Sequence, residues 1–391
     1  MKEWMGQRIG ELYPKLVETR RDLHRHPELG FEEVRTSKVV ADWLRELGLE
    51  VETGIAKTGV VGRLRGAKSG KTVALRADMD ALPIQDLKTC DYASTVPGVM
   101  HACGHDAHTT IVLGAATLLS ELRDQLAGDV LFIFQPAEEG PGGAAPMIEA
   151  GVLDGVDMAF GIHMAPVAPA GIVAVSPGPA MASADEFTLT IRGKGGHGAY
   201  PHMAIDAIPI AAQVVTALQQ VVSRAVDPTQ TAVLSIGTIR GGTKSNVIAD
   251  AVELTGTVRT FDPLLREEMP KRIESIASGI AASFGASAEL DYQFKYPVLV
   301  NDREAVSLMR KVCIDMFGAA RVLDAPPQMS GEDFAYFLQK VPGCFTFLGC
   351  KHPQPLVESY NVHHPAFDID ERVLPLGVQV LVAGVLAYLN D

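Results

Sequence analysis

Apolar positions along the chain fall into runs of distinct period, and each period predicts an element. From Thr109 to Gln125 they recur at helical spacing, with Ile111, Val112, Ala115, Leu118, Leu119 and Leu122 on one stripe. Elsewhere they are unbroken. Thr72–Arg76 runs into Asp78 and Asp80, Asp129–Phe134 into Glu138 and Glu139, and Asp157–Ile162 into His163. Unbroken runs suit strands of a mostly parallel or mixed sheet buried between helices. Ligands of open α/β sheets gather beyond the carboxyl ends of the strands, so these runs point to one shared site. Ahead of them, residues 1–48 predict two helices around a turn at Pro27–Gly30, and Leu49–Leu64 predicts paired strands.

After Ser176–Pro179 the pattern changes. Phe187–Arg192 alternates as a strand, Ala204–Val226 reads as a helix and Thr231–Arg240 as a strand. Val247–Phe261 is a further strand region, Pro263–Phe284 a helix and Ser287–Tyr296 a strand. The order β-α-β-β-α-β builds a small antiparallel sheet with helices on one face. The expected fold is therefore α/β: a catalytic domain with a central, mostly parallel or mixed sheet between helices, interrupted by an α+β lid. Its expected bounds are 1–182, 183–297 for the insertion, and 298–391 for the return, which begins with a helix at Ala305–Phe317. Val373–Leu389 is nearly all apolar but carries Pro375 and Gln379, and it reads as a buried C-terminal helix rather than a membrane anchor.

Composition narrows the partners. With 47% hydrophobic and 21% charged residues the chain is globular, and its 391 residues favour two domains. A net charge of −13 without a basic run argues against nucleic acid or an anionic membrane surface. Five scattered cysteines make no disulfide framework, and Met1–Arg25 lacks the apolar core of a signal peptide, so a cytoplasmic location is expected.

The chemistry concentrates in His101-Ala102-Cys103-Gly104-His105-Asp106-Ala107-His108. Residues two apart do not share a helix face, so Cys103 and His105 can ligate one centre only from a loop or strand end. Asp106 is expected to cap the following helix, which sets Cys103 before a helix N-terminus where thiolate is favoured. Cys103, His105, Glu139, His163 and the His363/His364 pair, with Glu138 beside them, mix thiolate, imidazole and carboxylate. That set suits two divalent ions such as Zn²⁺, Mn²⁺, Ni²⁺ or Co²⁺ better than one, because a single catalytic ion usually takes three protein ligands. Of Glu138 and Glu139, one can bind metal while the other serves as general base. Asp80 is expected to fix a ligand histidine's tautomer, and Asp78 either to do the same or to cap its strand. Gly195-Gly196-His197-Gly198 presents one imidazole on a flexible turn. Ser330–Asp333 either shapes the pocket or caps a helix beginning at Phe334.

Four stretches carry a resemblance: Arg76–Pro83, Met100–His108, Gln135–Gly143 and Gly193–His202. Together they resemble the amidohydrolase branch of the M20 metallopeptidase family, which includes N-acyl-amino-acid, hippurate and auxin-conjugate hydrolases, and the likeness runs from about Arg20 to His363. The resemblance implies metal ligands at Cys103, His105, Glu139, His163 and His363, with Glu138 as base. His363 is selected by a His-x-Pro-x-Phe pattern, and His364 is the fallback. It also implies that His197 polarises the scissile carbonyl, in cis or from a partner subunit, and that Asn246 and Arg259 hold the substrate carboxylate. Ala249 stands where many relatives carry proline. The implied activity is metal-dependent hydrolysis of N-acetyl or N-benzoyl amino acids by a homodimer or homotetramer joined through the lid. Rival readings are a dipeptidase or carboxypeptidase, a thiol amidase using Cys103 with His105 or His108, and a non-catalytic metal-binding protein.

Overall fold

The computed structural model describes residues 2–352 and 360–390. Two compact units are present. The first comprises Met1–Ala180, Val300–Pro326 and Tyr336–Asp391, the second Met181–Leu299 and Pro327–Ala335. The stretch Pro327–Ala335 was expected with the outer segments. It joins the second unit because Ala182 N–H donates to Gln328 O at 2.9 Å and to Ser330 O at 3.1 Å.

In chain order the first unit supplies α1 (Lys2–Arg25), α2 (Val34–Glu46), β1 (Glu50–Ile55), β2 (Gly59–Leu64), β3 (Lys68–Asp78), α3 (His105–Glu121), β4 (Ala127–Gln135), β5 (Met158–Pro169) and β6 (Val173–Ala174). The second supplies β7 (Ala184–Arg192), α4 (Ala207–Gln220), β8 (Ala232–Gly241), β9 (Ala251–Thr260), α5 (Pro263–Ser283) and β10 (Ser287–Tyr296). The chain then returns to the first for α6 (Arg303–Phe317), β11 (Val322–Leu323), β12 (Gly343–Lys351) and α7 (Leu374–Leu389).

The first unit is built on an eight-stranded mixed sheet in the order β1-β2-β4-β3-β5-β12-β6-β11. Its middle strands β4, β3, β5 and β12 are parallel neighbours, while β1 and β2 form an antiparallel hairpin at one edge. Parallel pairing explains the unbroken apolar runs, since residues 72–78 of β3 are all buried. Register sets the site's level. Asp78 lies opposite Gln135, and Arg76 opposite Gly161, so Asp78 comes level with His163 two residues on. Strand β5 does not end at His163 as the sequence suggests but continues to Pro169.

Helices α1, α3 and α6 pack against α7. Helix α7 is apolar enough to cross a membrane by composition, yet it lies in this core as expected, with Val378, Leu381 and Val385 fully buried. A Cβ at its Gly377 would stand 2.5 Å from Ile111 Cδ1, so the glycine sets the close approach to α3.

The second unit carries an antiparallel sheet in the order β8-β9-β7-β10. Along β7, Phe187, Leu189 and Ile191 are buried, and their pleat neighbours are less so. Helices α4 and α5 pack on this sheet, and the apolar residues of both helices and the sheet form one core. Helix α4 begins at Ala207 rather than Ala204, because Asp206 accepts the Ile208 N–H as its cap.

Candidate metal centre

Three bends in the first unit aim the ligands, and each uses left-handed backbone. Gly104, at φ 94°, turns the chain between Cys103 and His105, and a Cβ there would press on the Met164 side chain at 3.2 Å. Ala137, at φ 54°, turns it between β4 and Glu138. His363 is itself at φ 65°, its N–H donating to Ala102 O at 2.7 Å. Non-glycine residues in this region are strained, and such strain gathers at functional sites.

Helix α3 starts at His105, with Gly104 rather than Asp106 in the capping position. Asp106 is committed elsewhere. Arg20 Nε lies 2.9 Å and His24 Nδ1 2.6 Å from Asp106 Oδ2. Although burial opposes ionisation, these two partners hold its carboxyl below the usual carboxylate range.

Every ligand predicted in the sequence meets in this unit. The ligand atoms of Cys103, His105 and His163 lie within 4.8 Å of one another, as do those of Cys103, Glu139 and His363, and those of His105, Glu138 and Glu139. The groups overlap, with Cys103, His105 and Glu139 each in two of them. Five candidate ligands plus Glu138 exceed the needs of one catalytic ion and fit two. Two buried atoms of this cluster have no hydrogen-bond partner among the described residues: His105 Nε2, and Glu139 Oε1, which lies 3.0 Å from His363 Nε2 outside hydrogen-bonding geometry. Such orphans in a thiol–imidazole–carboxylate cluster are what a borderline divalent cation would satisfy. His364 is turned away. Its ring stacks on Tyr360 at 4.1 Å, and its Nδ1 accepts the Ala366 N–H.

Supporting contacts fix the ligand tautomers. His105 Nδ1–H donates to Asp80 Oδ1 at 3.2 Å, and His163 Nδ1–H to Met164 O at 2.8 Å, which leaves each Nε2 for a cation. His108 is not a ligand. Its Nδ1–H donates to Asp78 at 2.7 Å and its Nε2 accepts the Met164 N–H at 2.9 Å, so the ring is spent on locking β5 beside His163. Asp78 is held in turn by Arg76 at 2.7 Å. Sequence spacing gives no sign that His108 locks β5, nor any of Glu33, whose buried carboxylate accepts the Ala137 N–H at 2.8 Å.

The electrostatics correct one expectation. Burial, together with Glu139, Glu138 and Asp78, pushes the Cys103 thiol well above its usual range, so without a cation it is neutral rather than thiolate. His105 moves the other way. Burial opposes its charge, but Asp78, Asp80 and Glu139 outweigh burial and raise it to about 10. Glu139 raises His363 as well, and Glu139 is lowered against its own burial by His363 and His105. A site this acidic awaits positive charge.

The second unit holds His197, Asn246 and Arg259 in two places. Gly196 and His197 pair with Ile248 and Val247, and Gly198 N–H donates to Asn246 O at 2.8 Å, so His197 and Asn246 share one end of the unit. Ala199 N–H donates to His197 Nδ1 at 3.1 Å, which makes the exposed Nε2 the protonated nitrogen. Arg259 lies at the far end of β9, opposite Val233, with Nη1 donating to Val258 O at 3.0 Å. The His197 turn leaves the sheet beside Asp250, whose carbonyl accepts the Gly193 N–H. Eight strand steps from Ala251 to Arg259 span about 26 Å. One copy of this unit therefore does not bring Arg259 together with His197 and Asn246. At Ser330–Asp333, Glu332 accepts the Phe334 N–H at 2.9 Å just before a short helix at Ala335–Leu338, which fits the capping reading.

Comparison with known proteins follows the same lines. Residues 74–387 match the model of peptidase family M20/M25/M40. Thermostable carboxypeptidase 2 of Saccharolobus solfataricus is 44% identical over 373 residues, covering 94% of each chain. The N-acetylcysteine deacetylase of Bacillus subtilis is 43% identical over 368 residues, covering 94% of this chain and 95% of that one. A Bacillus subtilis crystal structure described as a dinuclear metal-binding peptidase of the M20 family superposes with a TM-score of 0.86 at 39% identity, covering 97% of this chain and 99% of that one.

Proposed function

This chain belongs to peptidase family M20/M25/M40, and on that premise we propose that it hydrolyses the amide bond of N-acyl amino acids with Glu138 as general base. One observation carries the reading. Glu138 sits in the same close group as His105 and Glu139, buried beside a ligand cluster large enough for two ions.

Cys103, His105, Glu139, His163 and His363 would hold the two cations, which when bound supply Lewis acidity and an acidified water. Zn²⁺, Mn²⁺, Ni²⁺ and Co²⁺ all suit these donors. Glu138 takes the proton of the attacking water and returns it to the departing amine. Asp80 keeps His105 in the tautomer that presents Nε2 to a cation. His197 offers its Nε2–H to the carbonyl oxygen as charge develops there. Arg259 and Asn246 read the free carboxylate, the charge-assisted contact that selects amino-acid products. Because Arg259 lies at the other end of its unit from His197 and Asn246, we place the two sets in different subunits of a homodimer or homotetramer joined through this unit. All five cysteines are free, which accords with a cytoplasmic enzyme. A neutral, buried Cys103 thiol speaks against the thiol-amidase reading.

A second reading, a carboxypeptidase or dipeptidase using the same centre, is favoured by the likeness to the Saccharolobus carboxypeptidase. A panel of N-acetyl amino acids, N-benzoyl amino acids and dipeptides, run on protein loaded with each metal, separates the two. The acyl substrates are expected to turn over fastest, with loss on chelation. Glu138→Gln is expected to lower kcat by about 10²–10⁴ while both metals stay bound. Faster cleavage of dipeptides would favour the second reading, and undiminished turnover by the variant would overturn the role of Glu138.

A further inference from the structure

The backbone on either side of Glu138 is gripped by two buried carboxylates. Behind it, Glu33 Oε1 accepts the Ala137 N–H at 2.8 Å, and ahead of it, Asp80 Oδ2 accepts the Glu139 N–H at 2.9 Å. Asp80 has a second task at His105. Among the described residues, the Glu33 carboxylate hydrogen-bonds to no candidate ligand's side chain. Its other oxygen accepts the Thr58 hydroxyl at 2.5 Å, and the whole side chain is buried. Burial lifts its pKa, against these hydrogen bonds.

The residue it holds is the strained one. Ala137 sits at φ 54°, where a side chain is disfavoured, and its carbonyl accepts the Gly142 and Gly143 N–H groups at 3.0 and 3.2 Å. A Cβ on Gly30 would come within 3.0 Å of Ala137, so the loop that carries Glu33 also lies directly against this turn. Left-handed alanine persists only when its surroundings over-determine it. Without the bond from Glu33 the peptide before Glu138 would be free to relax toward the ordinary region, and the Glu138 carboxylate would swing with it.

We infer that Glu33 is a positioning residue for Glu138: it fixes the left-handed turn at Ala137 that aims the base, and it does so as a hydrogen-bond acceptor rather than through charge. The inference rests on the hydrolase reading for its catalytic consequence, but the clamp itself is measurable without turnover.

Glu33→Ala and Glu33→Gln test it in the full chain loaded with Mn²⁺. Glutamine can still accept from Ala137 N–H through Oε1 while its amide donates to Thr58 Oγ1. Two quantities are read: kinetics on the best acyl substrate, and amide hydrogen exchange across residues 136–143. In Glu33→Ala, kcat is expected to fall about 10–100-fold, the range for outer supporting contacts, with KM nearly unchanged. Exchange in that segment should quicken at least about tenfold, while the rest of the first unit keeps its protection. Glu33→Gln should restore both. A residue that merely stabilised the fold would lower the melting temperature without this split between kcat and KM. If Glu33→Ala does not fold, Glu33→Met, which keeps the bulk of the buried side chain but cannot accept from the Ala137 N–H, carries the test. Unchanged exchange at 136–143 overturns the clamp, and quickened exchange with undiminished kcat overturns its role in positioning the base. A wild type that hydrolyses none of the panel defeats the hydrolase reading instead, and the exchange data still judge the clamp.

Discussion

Asp80 serves Glu139 and His105 at once, one carboxylate oxygen accepting the backbone N–H of Glu139 at 2.9 Å and the other taking the Nδ1–H of His105 at 3.2 Å. One side chain thus sets the direction of two candidate ligands that lie 34 positions apart in the chain (139 − 105). Asp80→Asn splits these tasks. Its amide oxygen can still accept from Glu139, but its amide nitrogen would face the Nδ1–H of His105 and favour the tautomer that protonates Nε2. Metal affinity measured by titration calorimetry is expected to fall about 10–100-fold. Unchanged affinity would show that the tautomer of His105 does not matter.

Metal binding should release protons. Without a cation, His105 is raised to about 10 and the Cys103 thiol lies well above its usual range, so both are protonated at pH 7. A cation that takes both must displace about two protons per chain. The sign follows directly: affinity rises with pH through the neutral range, the slope lessens as pH passes the folded pKa of His105, and a rise remains for as long as the Cys103 thiol stays protonated. The raised pKa also means that protonated His105 stabilises the metal-free fold fully below its unfolded value, and that this contribution is lost as pH climbs toward 10. Titration with Mn²⁺ in two buffers of different ionisation enthalpy counts the protons, and a count of zero would contradict these protonation states.

The roughly 26 Å of strand between the His197 end and the Arg259 end of the second unit has a kinetic consequence. If the two sets act from different subunits, His197→Ala and Arg259→Ala are each inactive alone but complement each other when mixed. Random reassortment gives half the dimers as hybrids, each with one intact site, so activity should recover to about a quarter of the wild-type value. No recovery after verified subunit exchange would place both residues in one chain's site.

Much of the frame was legible because it rests on local period. The unbroken runs before Asp78, Gln135 and His163 are strands at the middle of the first sheet, and β-α-β-β-α-β reproduces the second unit's elements. The ligand cluster was legible as residue types at strand ends. What escaped depends on pairs distant in sequence. Asp106 looked like a helix cap because Arg20 and His24, its actual partners, lie 86 and 82 residues away. Glu33 carries no local sign of its role, because Ala137 lies 104 residues further along the chain. Cys103 departs from the local expectation for a similar reason: the helix end is local, whereas the carboxylates that oppose thiolate arrive from β3 and from the turn after β4.

Anomalous diffraction from crystals grown with Mn²⁺ or Zn²⁺ and recorded at the metal's absorption edge tests the centre most directly. The prediction is two peaks in the first unit, both within bonding reach of donors drawn from Cys103, His105, Glu139, His163 and His363, with Glu138 beside them. A single peak, or two peaks bound by other side chains, would contradict it.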